Sequence, residues 1–264
     1  MIELARALAH GELHVLGRLP DASNVAMLCE VRLEHGSTGA GPIRCIYKPT
    51  AGERPLWDFP GAVLAGREVL AAEVNRCFGW TIIPETAWRD DGPAGPGMCQ
   101  EWVEGGDEPP IGLFPVGEVP SGWHEVAEGH GRYGLPVVLA HGDEPDLQRM
   151  VVLDAILNNG DRKGGHLLRR PSGAVVGVDH GVSFHAEPHL RTVLWGWAGE
   201  PMPDWLLAEL AAGAPACLDA LPTGPARLSR TEVRAARRRL EALQASGCFP
   251  LPAGGWPALP WPPM

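Results

Sequence analysis

Asn159-Gly160-Asp161-Arg162-Lys163-Gly164-Gly165-His166, answered downstream by Val178-Asp179-His180-Gly181, is the stretch on which the reading of this chain turns. A helix is expected ahead of it from Pro145, with apolar Leu147, Met150, Val151, Leu153 and Ile156-Leu157, and Asn158-Asn159-Gly160 is a strong stop. Between the two motifs, Leu167 to Arg170 and Val175 to Val178 read as a hairpin around Pro171-Ser172-Gly173. Two carboxylates and a cation are thus delivered to the ends of short connected elements. Transfer of a phosphoryl group needs that set: one carboxylate to orient the attacking hydroxyl, one to hold a metal on the phosphates, and a cation to spread the developing charge. Asp161, Asp179 and Lys163 are the candidates for those three roles, in that order.

Working upstream, residues 13 to 48 read as three short antiparallel strands, Leu13 to Leu19, Val25 to Leu33 and Ile43 to Tyr47, with a turn at Pro20-Asp21-Ala22-Ser23-Asn24. Leu70, Val74 and Phe78 repeat at helical spacing within 63 to 78, and Gly79 stops that helix. Trp80 to Trp88 and Met98 to Val103 read as two further strands. The same chemistry calls for a strand lysine on nucleotide phosphates, a helix glutamate to hold that lysine, and a β-rich lid. Lys48 closes the third strand, Glu68 lies on the helix, and Gln100-Glu101-Trp102-Val103 stands where the chain crosses between lobes and meets adenine. His166, five residues after Asp161, occupies the place of a second metal ligand in the protein-kinase order of motifs.

The expected organisation is therefore an α+β, bilobal, protein-kinase-like fold with a small antiparallel β-rich N-lobe (1–103) and a mainly helical C-lobe (147–248). Residues 104–146 form an acidic insert read as a loop. Residues 249–264 form a tail with six prolines and two tryptophans, either docked on the body or extended. A capping box at Ser229 and Glu232 starts a C-terminal helix, and another helical segment lies near Trp205 to Leu210. Trp57 is expected to border the site; His124, His130 and His141 are expected to be solvated, and His185 and His189 to lie on the surface.

Composition agrees with a folded, soluble chain: 264 residues, 45% hydrophobic, 20% charged. No apolar run approaches the ~18 to 20 residues of a spanning helix, and the first residues lack the order of a signal peptide, so a cytoplasmic location is expected. The six scattered cysteines read as buried thiols. The net charge of −10 disfavours nucleic acid and anionic lipid, and most of it falls in 104–146, where nine acids face Arg132 alone. Only Lys48 and Lys163 are lysines among 22 basic residues. A chain that otherwise uses arginine keeps lysine where a compact ammonium is needed.

Tyr47-Lys48-Pro49 with Glu53-Arg54-Pro55, Gly79 to Thr86, Gln100 to Gly105, Asn159-Gly160-Asp161-Arg162, Asp179 to Phe184, and Trp195-Gly196-Trp197-Ala198 resemble the phosphatidylinositol 3-/4-kinase superfamily, most closely its type II phosphatidylinositol 4-kinase-like and HipA-like branch. The resemblance covers roughly residues 11 to 200. It implies ATP and Mg²⁺ or Mn²⁺ as cofactors, Lys48 on the α/β-phosphates paired with Glu68, Trp102 and Val103 along adenine, Asp161 as catalytic residue and Asp179 as metal ligand. Two positions depart from the pattern: His166 stands where Asn is usual, and Ser23-Asn24 replaces a glycine-rich lid, so that Ser23 and backbone N–H groups would hold phosphates. The acceptor is expected to be a hydroxyl of a soluble small molecule or a protein. A nucleotide-binding pseudokinase, a phosphoinositide kinase and an AMP-transferring enzyme are the alternatives.

Overall fold

The computed structural model describes residues 2–20, 24–32, 41–106, 108–213, 218, 221, 228–254 and 257–264. The small lobe is a five-stranded antiparallel sheet in the order β1-β2-β3-β5-β4, formed by β1 (Glu12–Arg18), β2 (Met27–Arg32), β3 (Ile43–Pro49), β4 (Thr86–Gly92) and β5 (Gly95–Glu101). Its period-two alternation sends side chains to two covered faces. One face buries Cys29, Val31, Cys45, Tyr47 and Cys99 against Ala7 and Leu8 of helix α1 (Ile2–His10). The other places Met98 against Ala65 and Val69 of α2 (Leu64–Cys77). Lys48 pairs in register with Met98 and so belongs to the α2 face. That register aims its ammonium at α2. The strand expected from Trp80 begins only at Thr86: Ile82 and Ile83 are core residues of a loop that ends at Pro84.

The α2 N-terminus is capped from a distance. Both carboxylate oxygens of Glu53 accept from the Leu64 and Ala65 N–H groups, at 2.9 and 2.7 Å. This satisfies two of the four donors left open at a helix start and places negative charge at the positive end of its dipole.

The large lobe is built on α3 (Pro145–Leu157), which is buried on nearly every face, and on α4 (Asp204–Ala212) and α5 (Arg230–Ser246). The capping box starting α5 is formed as expected: Ser229 Oγ accepts from Glu232 N–H, and the Glu232 carboxylate accepts from Ser229 N–H. Gly247, at φ 64°, ends the helix in the left-handed conformation. The hairpin is β9 (Leu167–Arg169) with β10 (Val175–Gly177).

Residues 104–146 are not a loop. They fold into a three-stranded antiparallel sheet, order β6-β8-β7, from β6 (Ile111–Pro115), β7 (Trp123–His130) and β8 (Pro136–Gly142). Ile111 and Leu139 join the same core as α3, so this sheet is part of the large lobe. The acids that suggested a solvated segment, Glu118, Glu125 and Glu128, lie on its exposed side. Four other expectations are corrected. His141 is fully buried beside Trp197, and His189 is buried against Phe59. Trp57 is 83% exposed and does not line the cleft. Cys77 is disulfide-bonded, whereas Cys29, Cys45, Cys99 and Cys248 are free thiols.

The proline-rich tail docks. Ala258 O accepts from Thr192 N–H and from the Trp195 indole, and Pro263 O accepts from Gly164 N–H at 2.8 Å. A Cβ on Gly164 would come within 2.5 Å of Met264 Sδ, so a side chain there would push the Met264 side chain off its place against the loop.

Candidate active site

The cleft between the lobes encloses a cavity of about 450 Å³ lined by Lys48, Glu68, Asp161, Lys163, His166 and Asp179, with Asn24 and Arg54 from the small lobe at its edge. Seven of the residues singled out from sequence, Asn24 among them, thus meet in one place, although they span 155 positions of chain, from 24 to 179.

Lys48 Nζ donates to Glu68 Oε1 at 2.7 Å and to Asp179 Oδ1 at 2.9 Å. Burial opposes its charge, but the two carboxylates outweigh burial and hold the ammonium protonated above its ordinary range. Asp179 is pulled well below the usual carboxylate range, chiefly by Lys48. Glu68 moves the other way, because burial of its carboxylate exceeds the pull of Lys48. Asp161 is also raised by burial, against the opposing Lys163 ammonium 3.1 Å away. The two aspartates therefore differ in basicity: Asp179 is held as an anion suited to a cation, and Asp161 is a better proton acceptor.

His166 Nε2 is 3.4 Å from Asp179 Oδ2. Burial lowers the imidazole to about 4, so the ring is neutral near pH 7. A metal on Nε2 requires the proton on Nδ1. Lys163 N–H donates to Nδ1 at 3.4 Å, which places the ring proton on Nε2 facing Asp179, so a cation there requires that proton to move to Nδ1. With that shift, Asp179 and His166 would offer a divalent cation one oxygen and one nitrogen donor, a set better suited to Mn²⁺ than to Mg²⁺. Among the described residues no third His, Cys, Asp or Glu joins them.

Beneath the site lies a hub that sequence reasoning missed. Arg162 and Asp154 are both fully buried; Arg162 Nε donates to Asp154 Oδ2 at 2.8 Å and Nη2 to Oδ1 at 3.0 Å. Arg162 also donates to Val178 O at 2.7 Å and to His180 Nε2 at 2.6 Å. Burial and the adjacent guanidinium keep His180 neutral, far below 6.5. Asn159 completes the link: its amide donates to Asp154 Oδ1, and its Oδ1 accepts from Asp161 N–H at 3.0 Å. One buried carboxylate therefore fixes the backbone on both sides of the cleft floor, at Asp161 and at Asp179. Asp179 is held at φ 60°, a left-handed conformation that a side chain disfavours and that persists only when its surroundings over-determine it. The sequence signal was available: an Asp inside the apolar run Val151-Val152-Leu153-Asp154-Ala155-Ile156 has to be paired when buried.

The adenine-side assignments fare differently. The Gln100 side chain is buried in the small lobe and donates to Thr86 Oγ1 at 2.8 Å, because Thr86 stands directly opposite it in the β4–β5 register. Glu101 is held bidentately by Arg170, both contacts at 2.9 Å, and pins the lobes together. Its carboxyl is lowered by that pairing. The Glu101 and Trp102 N–H groups are engaged by Glu85 O and Arg44 O. None of Gln100, Glu101, Trp102 and Val103 lines the cavity that holds the aspartates. Asn24 does line it, with Oδ1 accepting from Arg54 N–H. Ser23 lies outside the described residues.

The two lobes, the strand lysine paired with a helix glutamate, and the paired aspartates of the large lobe define a kinase-like fold with a kinase-like cleft. The sequence profile described as phosphatidylinositol 3- and 4-kinase matches residues 146–216, the part that carries both aspartates. The architecture is similar to the structure of hydra Fam20 with sugar, at TM-score 0.55 and 13% identity over 93% of this chain and 87% of that one. The Helicobacter pylori proinflammatory kinase CtkA aligns at TM-score 0.48 and 13% identity, over 92% of this chain and 94% of that one. The chain belongs to the family of protein Rv2133c of Mycobacterium tuberculosis (strain ATCC 25618 / H37Rv), with which it is 45% identical over 97% of its own length and 93% of the relative's.

Proposed function

We propose that this protein is an ATP-dependent kinase that phosphorylates a hydroxyl group of a soluble compound, acting in the cytoplasm where ATP is abundant. The observation that carries this reading is Lys48 Nζ shared between Glu68 of the small lobe and Asp179 of the large lobe, over a cavity that Asp161 also lines. An ammonium has three donors, and two are used here, so the third is available to a phosphate oxygen. Asp161 accepts the proton of the acceptor hydroxyl as its oxygen attacks the terminal phosphorus and the bond from that phosphorus to the β–γ bridging oxygen breaks, releasing ADP. Asn159 holds that loop from below, and Lys163 meets the charge that develops on the transferred group. Asp179 and His166 would hold a divalent cation, which when bound would supply charge neutralisation for the transferred phosphoryl group. Asn24 and Arg54 flank the phosphates at the cleft edge, while Trp102 and Val103 stand on the adenine side.

A membrane lipid is disfavoured as acceptor, because the exposed acids of β7 and its preceding turn repel anionic headgroups. Among the described residues no helix is long and apolar enough to cross a membrane. The acidic surface equally disfavours nucleic acid.

The test is transfer of label from γ-labelled ATP, with Mg²⁺ and with Mn²⁺, to soluble cell extract. Transfer that is abolished by Asp161→Ala and by Asp179→Ala supports the proposal. His166 carries a second reading, a nucleotide-binding protein without turnover. Thermal stabilisation by ATP with no transfer under either cation would select that reading. Label arriving from α- but not γ-labelled ATP would make the reaction AMP transfer instead.

A further inference from the structure

The stretch from Glu53 to Val63, between β3 and α2, is more than a connection. Glu53, Arg54 and Leu56 line the cavity beside Asp161 and Val182. A few residues on, the same stretch is fastened to the large lobe. Phe59, 5% exposed, sets its ring edge-on to His185 and His189 with centroids 5.2 and 5.9 Å apart. Asp58 Oδ2 stands 3.7 Å from His189 Nε2. Arg67 on α2 lies over the Phe59 ring at 5.2 Å, and its guanidinium also donates to Ser183 O and pairs with Glu232 of α5 at 2.6 Å. The stretch therefore runs from residues that line the cavity to the large lobe.

We infer that this strap restricts the acceptor to a compound of metabolite size, excluding a hydroxyl borne on a folded protein or a bilayer lipid. The inference rests on the phosphotransferase reading of the same site. A protein hydroxyl arrives on a chain whose flanking residues need an open groove beside the base. Here Glu53, Arg54 and Leu56 of the strap line the same cavity as Asp161, and Phe59 anchors the strap to the large lobe through His185 and His189. The remaining space, about 450 Å³, must also hold the triphosphate end of the nucleotide. Pockets that take small ligands fall in the same size range, ~300 to 1,000 Å³.

The experiment uses the full chain, γ-labelled ATP and cell extract separated by ultrafiltration into metabolites and proteins. The inference expects label in the metabolite fraction and at least an order of magnitude less in the protein fraction. Phe59→Ala, or Asp58→Asn if the first variant does not fold, is expected to raise the acceptor KM severalfold while the thermal shift produced by ATP is unchanged. A general folding defect would diminish both. Comparable label in proteins overturns the inference. No label in either fraction refutes the phosphotransferase reading, and hydrogen exchange then judges the strap by itself: amides of 56–63 as open in the ATP-bound protein as those of an unstructured loop would overturn it too.

Discussion

Arg162 and Lys48 are both cations withdrawn from water near the cleft, and their surroundings differ in a way that separates scaffold from site. Arg162 is fully buried and makes two bonds to Asp154, one to Val178 O and one to His180. Lys48 keeps 21% of its side chain exposed and is shared between carboxylates of two lobes. The first arrangement is closed and fixes backbone geometry. The second is bounded by the cavity, straddles a boundary that can move, and retains a donor for a further anion. A satisfied buried pair specifies structure, whereas an under-used one at a cavity wall marks where a ligand belongs.

The largest effect is expected from breaking the closed member of this comparison. Arg162→Met strands the Asp154 carboxylate in the core and should cost ~3 to 5 kcal/mol of unfolding free energy; chemical denaturation measures it. Lys48→Ala should cost less intrinsic stability, because Asp179 is half exposed and Glu68, already raised by burial, can take up a proton. It should also remove the stabilisation given by ATP, which at a hundredfold excess over Kd is about 2.7 kcal/mol for the intact protein. An equal loss of intrinsic stability in the two variants would erase the distinction drawn here.

A smaller effect concerns pH. Burial holds His141 and His166 at about 4, against 6.5 in an unfolded chain. Because both pKa values are depressed on folding, only the unfolded state takes up these protons as pH falls from 6.5 toward 4. Stability should therefore be complete above pH 6.5 and decline through that window. Urea midpoints across pH measure the slope. His141→Gln should flatten it, and an unchanged slope in that variant would remove His141 from the account.

Much of this was legible in the sequence because it is encoded by local rules. The α2 and α5 helices follow from apolar spacing, Gly79 and the Ser229–Glu232 box, and the order lysine, glutamate, aspartate, aspartate is a property of the chain itself. What escaped depends on tertiary placement. The β6–β8–β7 sheet was hidden because its outward positions carry the acids of a solvated segment, while its inward residues find a core only against α3. His141 looked solvated for the same reason, and its burial is decided by Trp197, 56 positions away. Gln100 was assigned to the cleft by proximity to the crossing, but strand register turns its amide to Thr86. The Asp154–Arg162 hub was visible only as an acid in an apolar run, and its partners become evident once β10 returns beside the loop.

The most direct test of the central claim is a crystal structure of the full chain with a non-hydrolysable ATP analogue and Mn²⁺. The account predicts an anomalous peak for the ion in contact with Asp179 and His166, with the triphosphate reaching Lys48 and its terminal phosphoryl group facing Asp161. Nucleotide or ion bound away from those four side chains would contradict it.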